Sequence, residues 1–128
     1  MQSKNDLRKT LKFQTSSINP EISSNIVSNC LQLLKSFEFN TLGIYYAING
    51  EPRIDEVIKY YQGRKIFAAP KILAQEMIFS TYTLYSNLEV SNFTTLQTIS
   101  NKQIIPDVML IPSLAFDIKG YRLGRGLG

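Results

Sequence analysis

The sequence contains no histidine and only one cysteine, Cys30. Without histidine the chain cannot form a serine–histidine or cysteine–histidine nucleophile pair, and it lacks the usual ligand of zinc sites. A lone cysteine excludes an internal disulfide and fits a reducing compartment. We interpret Cys30 as a small core residue rather than a reactive thiol, because no histidine is available to activate it. Any catalysis must therefore rest on positioning and electrostatics, or on carboxylates.

Long apolar runs and dense basic runs are also missing. No apolar stretch is long enough to span a bilayer, and residues 1–13 are too polar for a signal peptide, so we expect a cytoplasmic protein. The net charge of +4 suits an anionic ligand, although on charge alone an ordinary solvated basic surface is the simpler explanation. Because no Lys/Arg cluster is present, a nucleic-acid-binding module is a weak alternative. A chain of 128 residues is long enough for one domain with its own core.

Apolar periodicity predicts alternating helices and strands. The predicted elements, in chain order, are helices at residues 3–14 and 20–37, a strand at 41–46, a helix at 54–61, and strands at 65–69, 77–85 and 108–111. Asn19 caps the second helix, Gly63 ends the third, and Pro70 stops the strand before it. A strand, a helix and a second strand in this order predict a parallel βαβ unit.

The C-terminal stretch, residues 105–128, joins an apolar strand to a loop rich in glycine and arginine. Glycines let backbone N–H groups approach an oxyanion, while Arg122 and Arg125 supply forked guanidinium donors. The glycine spacing matches neither the Walker pattern nor a dinucleotide fingerprint. The composition of this loop nevertheless favours phosphate binding.

Other polar residues lie where ligands bind in α/β proteins, or share one face of a helix. Lys4 and Arg8 project from the same side of the first helix, where from spacing alone they are most simply two surface cations. Tyr46 ends the first predicted strand and Glu51 lies in the loop after it, at the carboxyl end where open α/β sheets bind ligands. From the residues alone, Tyr46 is more simply an aromatic that caps a core strand, and Glu51 is equally a solvated turn residue.

The complete C-terminal string resembles the signature of the 5-formyltetrahydrofolate cyclo-ligase (5,10-methenyltetrahydrofolate synthetase) family, roughly Asp-apolar-apolar-apolar-Pro-Gly-x-apolar-Phe-Asp-x-x-Gly-x-Arg-Leu-Gly-x-Gly-x-Gly-Tyr-Tyr-Asp. The residues that match in register are Asp107, Pro112, Phe116, Asp117, Gly120, Arg122, Leu123, Gly124, Gly126 and Gly128. The Lys4–Arg8 pair, Tyr46, Glu51 and the Pro70-Lys71 step also match, so the resemblance covers nearly the whole chain.

This resemblance implies an α/β protein, a three-layer fold with a mostly parallel sheet flanked by helices. It implies the ATP-dependent conversion of 5-formyltetrahydrofolate to 5,10-methenyltetrahydrofolate, with release of ADP and phosphate and with Mg²⁺ as a cofactor. The expected partners are ATP and a small-molecule folate, with no nucleic acid and no membrane, and the chain is expected to be a monomer. Phosphoryl transfer needs alignment and positive charge more than a protein nucleophile, which suits a chain without histidine.

The resemblance also assigns candidate site residues. Arg122 and Arg125 become catalytic cations, and Tyr46 and Glu51 contact the folate. The predicted ATP-binding residues are Lys4, Arg8, Arg122, Leu123, Gly124, Arg125, Gly126 and Gly128. No metal ligand is assigned.

Three further residues have open interpretations. Lys71 contacts a phosphate or carboxylate, or is a solvated lysine. Met77 faces the folate or, as the safer interpretation, is plain core. Asp117 orients the loop through Asx-type backbone hydrogen bonds.

The family signature continues with Tyr-Tyr-Asp, whereas this sequence stops at Gly128. We therefore expect residues 1–128 to form a single cyclo-ligase-like domain truncated at its C-terminus. The alternative to an active enzyme is an inactive remnant that at most binds nucleotide or folate.

Overall fold

The computed structural model describes residues 3–15, 20–48, 50–82, 88–90, 96–98 and 102–124. Within these ranges the helices are α1 (Lys4–Thr15), α2 (Pro20–Leu34) and α3 (Asp55–Tyr61). The strands are β1 (Thr41–Gly43), β2 (Ile66–Leu73), β3 (Glu76–Tyr82), β4 (Leu88–Val90), β5 (Leu96–Thr98), β6 (Val108–Met109), β7 (Ala115–Phe116) and β8 (Arg122–Leu123).

The main sheet has the strand order β3-β2-β1-β6. Strand β1 runs parallel to β2 on one side and to β6 on the other, and only β3 is antiparallel to its neighbour. Strands β4 with β5, and β7 with β8, form separate antiparallel pairs. These pairings confirm the predicted α/β fold with a mostly parallel sheet, including the parallel β1–α3–β2 unit.

The hydrophobic core surrounds the central strand β1. Leu42, Ile44 and Val57 are at most 1% exposed, and Val27 and Leu34 of α2 join the same cluster. Burying an aliphatic side chain of this size contributes about 2 kcal/mol to stability. Because residues 41–44 are all buried, β1 has elements packed on both faces.

The pairing of β1 with β6 depends on Gly43. A Cβ atom on Gly43 would lie 2.9 Å from Cγ of Met109 and 3.1 Å from Cγ of Pro106. A methionine side chain can rotate away, but a proline ring cannot, so a larger residue would push the two strands apart. Gly43 therefore sets the close approach of β6 to the centre of the sheet.

Asp107 fastens the beginning of β6 to the beginning of β1. Its Oδ2 atom accepts hydrogen bonds from the backbone N–H groups of Asn40 (2.9 Å) and Thr41 (3.1 Å). These two bonds, followed by the positive charge of Lys65, lower the pKa of the Asp107 carboxyl from its ordinary value of 3.8. The aspartate that opens the C-terminal signature thus aligns two parallel strands.

The predicted strand at residues 65–69 is wrong at its end, because β2 continues through Pro70 to Leu73. Pro70 is paired with Phe79 of β3, whose carbonyl accepts a hydrogen bond from Ile104 instead. Because the Phe79 carbonyl is bonded elsewhere, the missing N–H of Pro70 costs no hydrogen bond to β3.

Other boundaries differ by a few residues. Helix α2 ends at Leu34 rather than near residue 37, strand β1 ends at Gly43 rather than 46, and β6 at Met109 rather than 111. Single backbone bonds, from Ile44 N–H to Ala68 and from Leu110 N–H to Gly43, extend the ladders slightly further. The predicted cap at Asn19 and the end of the strand predicted at 77–85 lie outside the described residues.

Among the described residues, none of the helices has the length and apolarity needed to cross a membrane.

Candidate functional site

A cavity of about 640 Å³ opens at the carboxyl ends of β1 and β6, between α1, β3 and the β7–β8 hairpin. Its lining residues are Arg8, Ile44, Tyr45, Ile48, Glu51, Pro70, Met77, Phe79, Met109, Leu110, Ile111, Pro112, Arg122 and Gly124. Most of this lining is apolar, and its charged side chains are Arg8, Arg122 and Glu51. The position is the one at which open α/β sheets bind their ligands.

Two hydrogen bonds hold the Arg8 side chain, one to the residue that follows β8 and one to a residue of its own helix. Its Nε donates to the carbonyl of Gly124 at 3.0 Å, and its Nη1 donates to Oδ1 of Asn5 at 3.1 Å. Helix α1 can present Arg8 in this way because Ser3 and Asp6 cap its first turn, with the Asp6 N–H donating to Ser3 Oγ. The two hydrogen bonds of Arg8 fix the orientation of its guanidinium group at the cavity wall.

Arg122 lies against the same glycine. A Cβ atom on Gly124 would be 3.2 Å from Nη1 of Arg122, which is closer than side chains normally pack. Gly124 therefore leaves room for the Arg122 guanidinium, and the carbonyl of Gly124 accepts a hydrogen bond from the Arg8 guanidinium. Two positive charges meet at one end of the cavity, which suits a polyanionic ligand.

The β7–β8 hairpin that carries Arg122 is closed by Asp117. Oδ1 of Asp117 accepts hydrogen bonds from the N–H groups of Lys119 (2.8 Å) and Tyr121 (3.0 Å). Gly120 adopts a φ of +88°, a left-handed conformation that favours glycine. These bonds confirm the predicted Asx-type role of Asp117.

Glu51 lies in a tight turn after β1. Its Oε1 accepts from the Ile48 N–H at 3.0 Å, and its own N–H donates to the Ile48 carbonyl at 2.9 Å. Gly50, with a φ of +84°, permits this turn. The turn keeps the carboxylate of Glu51 on the cavity wall.

The sequence profile of the 5-formyltetrahydrofolate cyclo-ligase family matches residues 1–128, the whole chain. The chain belongs to this family.

Solved structures of two relatives share the cyclo-ligase fold. The structure of 5,10-methenyltetrahydrofolate synthetase from Aquifex aeolicus superposes with a TM-score of 0.81 at 23% identity, covering 98% of this chain and 68% of that protein. The 5,10-methenyltetrahydrofolate synthetase from Mycoplasma pneumoniae superposes with a TM-score of 0.67 at 22% identity, covering 98% of this chain and 73% of that protein. No curated protein sequence matches significantly.

The structure brings part of the predicted cyclo-ligase nucleotide site together. Arg8, Arg122 and Gly124 meet at one end of the cavity, and Leu123 precedes Gly124 in β8. Lys4 lies one turn before Arg8 on α1, is exposed, and does not line the cavity. Arg125, Gly126 and Gly128 lie outside the described residues.

Of the two predicted folate contacts, Glu51 lines the cavity and Tyr46 does not. The Tyr46 ring packs edge-to-face against Tyr82, with 6.0 Å between ring centroids, and within the described part of the chain its buried hydroxyl has no hydrogen-bond partner. Burial, and secondarily Tyr82, raise the pKa of Tyr46 to about 12. The neighbouring Tyr45 is the tyrosine that reaches the cavity.

The open interpretations of Lys71 and Met77 are partly decided. Lys71 is only 3% exposed, so a solvated lysine was the wrong interpretation, and its contact with a phosphate or carboxylate stays a prediction. Met77 is 60% exposed and lines the cavity, so a plain core role was wrong too. Met77 and Phe79 are two residues apart on β3 and therefore share the face of this strand that borders the cavity.

Cys30 packs half-buried against the hydrophobic core, and burial raises the pKa of its thiol. A raised pKa disfavours the reactive thiolate, which agrees with the predicted structural role.

Sequence reasoning missed Asn5, Tyr45, Phe79 and Met109 as parts of this region. Asn5 had a readable signal, because a side chain three residues before Arg8 on a helix shares its face. Tyr45 had none: β1 is buried on both faces, so no apolar–polar alternation shows which tyrosine of the pair points to the cavity.

Proposed function

We propose that this chain binds ATP and 5-formyltetrahydrofolate in the cavity and converts them to 5,10-methenyltetrahydrofolate, ADP and phosphate. The observation that carries this proposal is the meeting of Arg8 and Arg122 at Gly124, at one end of a mostly apolar cavity. Family membership supplies the reaction, and the cavity offers both a cationic region and an apolar wall large enough for an aromatic ring system.

The cationic end suits the phosphates of ATP. Guanidinium groups bind phosphate oxygens through paired, charge-assisted hydrogen bonds that are stronger than neutral ones. Arg8 is pre-oriented by Asn5 and Gly124, so little side-chain entropy remains to be lost on binding. By resemblance, Lys4, Arg125 and the backbone of Leu123, Gly126 and Gly128 complete the nucleotide site.

Magnesium would accompany the nucleotide and neutralise charge that develops on the transferred phosphoryl group. Within the described part of the chain, acidic, histidine and cysteine side chains form no group of three that could hold a metal ion. These residues therefore offer no preformed metal site. The arginine and lysine side chains would make many of the contacts that hold the phosphates.

The apolar wall suits the folate ring system. Met77 and Phe79 from β3 and Met109 from β6 provide flat and adaptable contacts, and Glu51 offers a hydrogen-bond acceptor for ring N–H groups. Tyr46 stays a predicted folate contact from the family resemblance alone. Tyr45 lies on the cavity wall next to the turn that carries Glu51.

The chemistry then requires two steps. The formyl oxygen takes the γ-phosphoryl group of ATP, releasing ADP, and N10 attacks the resulting iminium phosphate so that phosphate leaves. Arg122 and Arg125 are proposed to balance negative charge on the transferred group and on the departing phosphate. Closing the cavity around both substrates would align the formyl oxygen with the γ-phosphate, which is the larger part of the catalytic task.

The decisive test is conversion of 5-formyltetrahydrofolate by the purified 128-residue chain with ATP and Mg²⁺, followed through the near-ultraviolet band of the methenyl product. Arg122→Ala should weaken ATP binding by roughly tenfold or more, with much less effect on folate binding. Lys119→Ala, which removes an exposed cation from the same hairpin, is the matched control and should behave as the wild type.

The outcomes separate the alternatives. Turnover that Arg122→Ala abolishes and Lys119→Ala retains would establish the enzyme. Binding of both ligands without product would support the inactive, binding-only alternative. Equal loss of ATP and folate affinity in Arg122→Ala would contradict the assignment of the cationic end to ATP.

The cellular setting of this proposal follows the sequence analysis. We place the chain in the cytoplasm as a monomer that acts on small molecules, with neither a nucleic acid nor a membrane as partner. Fractionation of cells and sedimentation of the purified chain would test the two statements independently of activity.

A further inference from the structure

The loop that follows β1 is closed by a hydrogen bond from Tyr45. The phenolic hydroxyl of Tyr45 donates to the carbonyl of Pro52 at 2.6 Å, a short and partly buried bond. Its two partners stand seven residues apart in the chain, on either side of the turn that contains Glu51. The bond therefore links a residue near the end of the loop to one near its start.

Inside this closed loop, Ile48 and Glu51 form a second, smaller ring of bonds. The Ile48 N–H donates to Oε1 of Glu51, and the Glu51 N–H donates to the Ile48 carbonyl. Pro52 directly follows Glu51, so fixing the Pro52 carbonyl fixes the backbone from which the Glu51 side chain projects. Proline also limits the backbone freedom of the residue before it.

Tyr45 is suited to this task chemically as well as geometrically. A tyrosine with the ordinary pKa of 10.0 already keeps its proton at neutral pH, and burial, and secondarily the charge of Glu51, raise the pKa of Tyr45 further, to about 12. The ring of Tyr45 lines the same cavity as the Glu51 side chain. One residue thus contributes wall surface to the cavity and holds the turn that supplies its carboxylate.

We infer that Tyr45 is a positioning residue that sets the direction of the Glu51 carboxylate toward the folate. This inference deepens the proposed function and rests on it for the identity of the ligand. Its structural part, that the Tyr45 hydroxyl holds the 48–51 turn, stands on the bonds described above and needs no ligand.

The first experiment compares ligand affinities in Tyr45→Phe, which removes the hydroxyl and keeps the ring. Affinity for 5-formyltetrahydrofolate should fall by roughly five- to tenfold, as expected when one buried hydrogen bond is lost, while ATP affinity stays unchanged. Tyr60→Phe is the matched control, because Tyr60 packs between Lys35 and Arg64 and does not line the cavity. A merely structural role for Tyr45 would lower both affinities together or neither.

A double-mutant cycle then asks whether Tyr45 acts through Glu51. In a Glu51→Ala background, Tyr45→Phe should cause no further loss of folate affinity. Additive losses from the two substitutions would overturn the inference, because they would mean that Tyr45 contacts the folate independently.

Hydrogen exchange tests the positioning without any ligand. In Tyr45→Phe the amides of Ile48 and Glu51 should exchange faster, while the Ile44 amide, which donates to Ala68, should not change. Unchanged exchange at Ile48 and Glu51 would overturn the inference. If the wild type fails to bind 5-formyltetrahydrofolate, the proposed function fails, and the exchange result still decides whether Tyr45 holds the turn.

Discussion

The Tyr46 hydroxyl is buried and has no hydrogen-bond partner among the residues that the structure describes, and the Tyr46 ring packs edge-to-face with the Tyr82 ring. A buried donor that makes no bond has lost its contacts with water and gained nothing in return. Such a group lowers the stability of the folded state. In this molecule it occurs at one of the two positions that the family resemblance assigns to folate.

Replacing Tyr46 with phenylalanine should therefore increase the free energy of unfolding by about 1 kcal/mol, since the ring contact is kept and the unpaired hydroxyl is removed. Urea denaturation of Tyr46→Phe and wild type would measure the difference. Tyr45→Phe provides the contrast, because it removes a hydroxyl that is bonded to Pro52 and should destabilise. A destabilised Tyr46→Phe would mean that the hydroxyl is satisfied in solution.

Whether a single site residue could be predicted depended on the kind of sequence pattern that marks it. Arg8 and Arg122 were found because charged residues match a motif in register, and the structure brings both to Gly124. The choice between Tyr45 and Tyr46 failed, because the two tyrosines are adjacent, both follow a strand that is buried on both faces, and no apolar–polar alternation marks which of them reaches the cavity. Their directions are set by packing against distant residues such as Tyr82.

At the scale of elements, the β7–β8 hairpin is short and depends on Asp117. Two residue pairs join its strands, Ala115 with Leu123 and Phe116 with Arg122, and one backbone bond flanks them at each end. Isolated hairpins of this size are marginal in water, so the side-chain bonds that close the turn matter for the position of Arg122.

Asp117→Ala should consequently weaken ATP binding by roughly five- to tenfold, because the loss of two turn bonds loosens the strand that carries Arg122. Asp117→Asn keeps an oxygen at the accepting position and should retain nearly wild-type affinity. Isothermal titration with ATP would compare the two. Similar losses in both variants would show that the charge of Asp117, rather than its bonds, matters.

The junction of β1 and β6 should give the protein a specific acid sensitivity. The folded-state pKa of Asp107 lies below its ordinary value of 3.8, so its contribution to stability is complete above that value and is lost as pH falls through the lower, folded-state pKa. The melting temperature of the wild type should thus fall more steeply than that of Asp107→Asn as pH drops below about 4. Parallel pH profiles for the two proteins would exclude this role.

The elements themselves were largely predictable, and their ends were not. Helix α1, helix α3 and the parallel order of β1 and β2 follow from periodicity and from glycine and proline signals. Strand β2 continues beyond Pro70, where the sequence predicted its end. Proline is tolerated there because its partner in β3, Phe79, does not need a hydrogen bond from the residue opposite. Sequence alone does not reveal which strand lies alongside.

At the scale of the whole molecule, the cavity is assembled from distant parts of the chain. Arg8 comes from the first helix, Glu51 from the centre and Arg122 from the last described strand. Ligand binding at such a site connects elements that otherwise share few contacts, so it should stabilise the entire fold.

ATP at about 100 times its dissociation constant should raise the free energy of unfolding by about 2.7 kcal/mol. For a domain of this size that corresponds to a rise in melting temperature of roughly 10 °C. Differential scanning fluorimetry should show this rise for wild type and for Lys9→Ala, an exposed neighbour of Arg8 on α1. The rise should be mostly lost in Arg8→Ala; an equal rise in both variants would place ATP elsewhere.

The bond between Asp107 and the backbone of Thr41 spans 66 residues of sequence, whereas β1, α3, β2 and β3 follow one another directly. Contacts between near neighbours in the chain form first during folding, since closing a long loop costs more entropy. Strand β6 should therefore dock late, onto a unit that is already paired, and in refolding experiments β6 substitutions should mainly speed unfolding. Because β6 supplies one wall of the cavity, an intermediate that lacks it has no complete binding site. Recovery of ligand binding would thus mark the last step of folding.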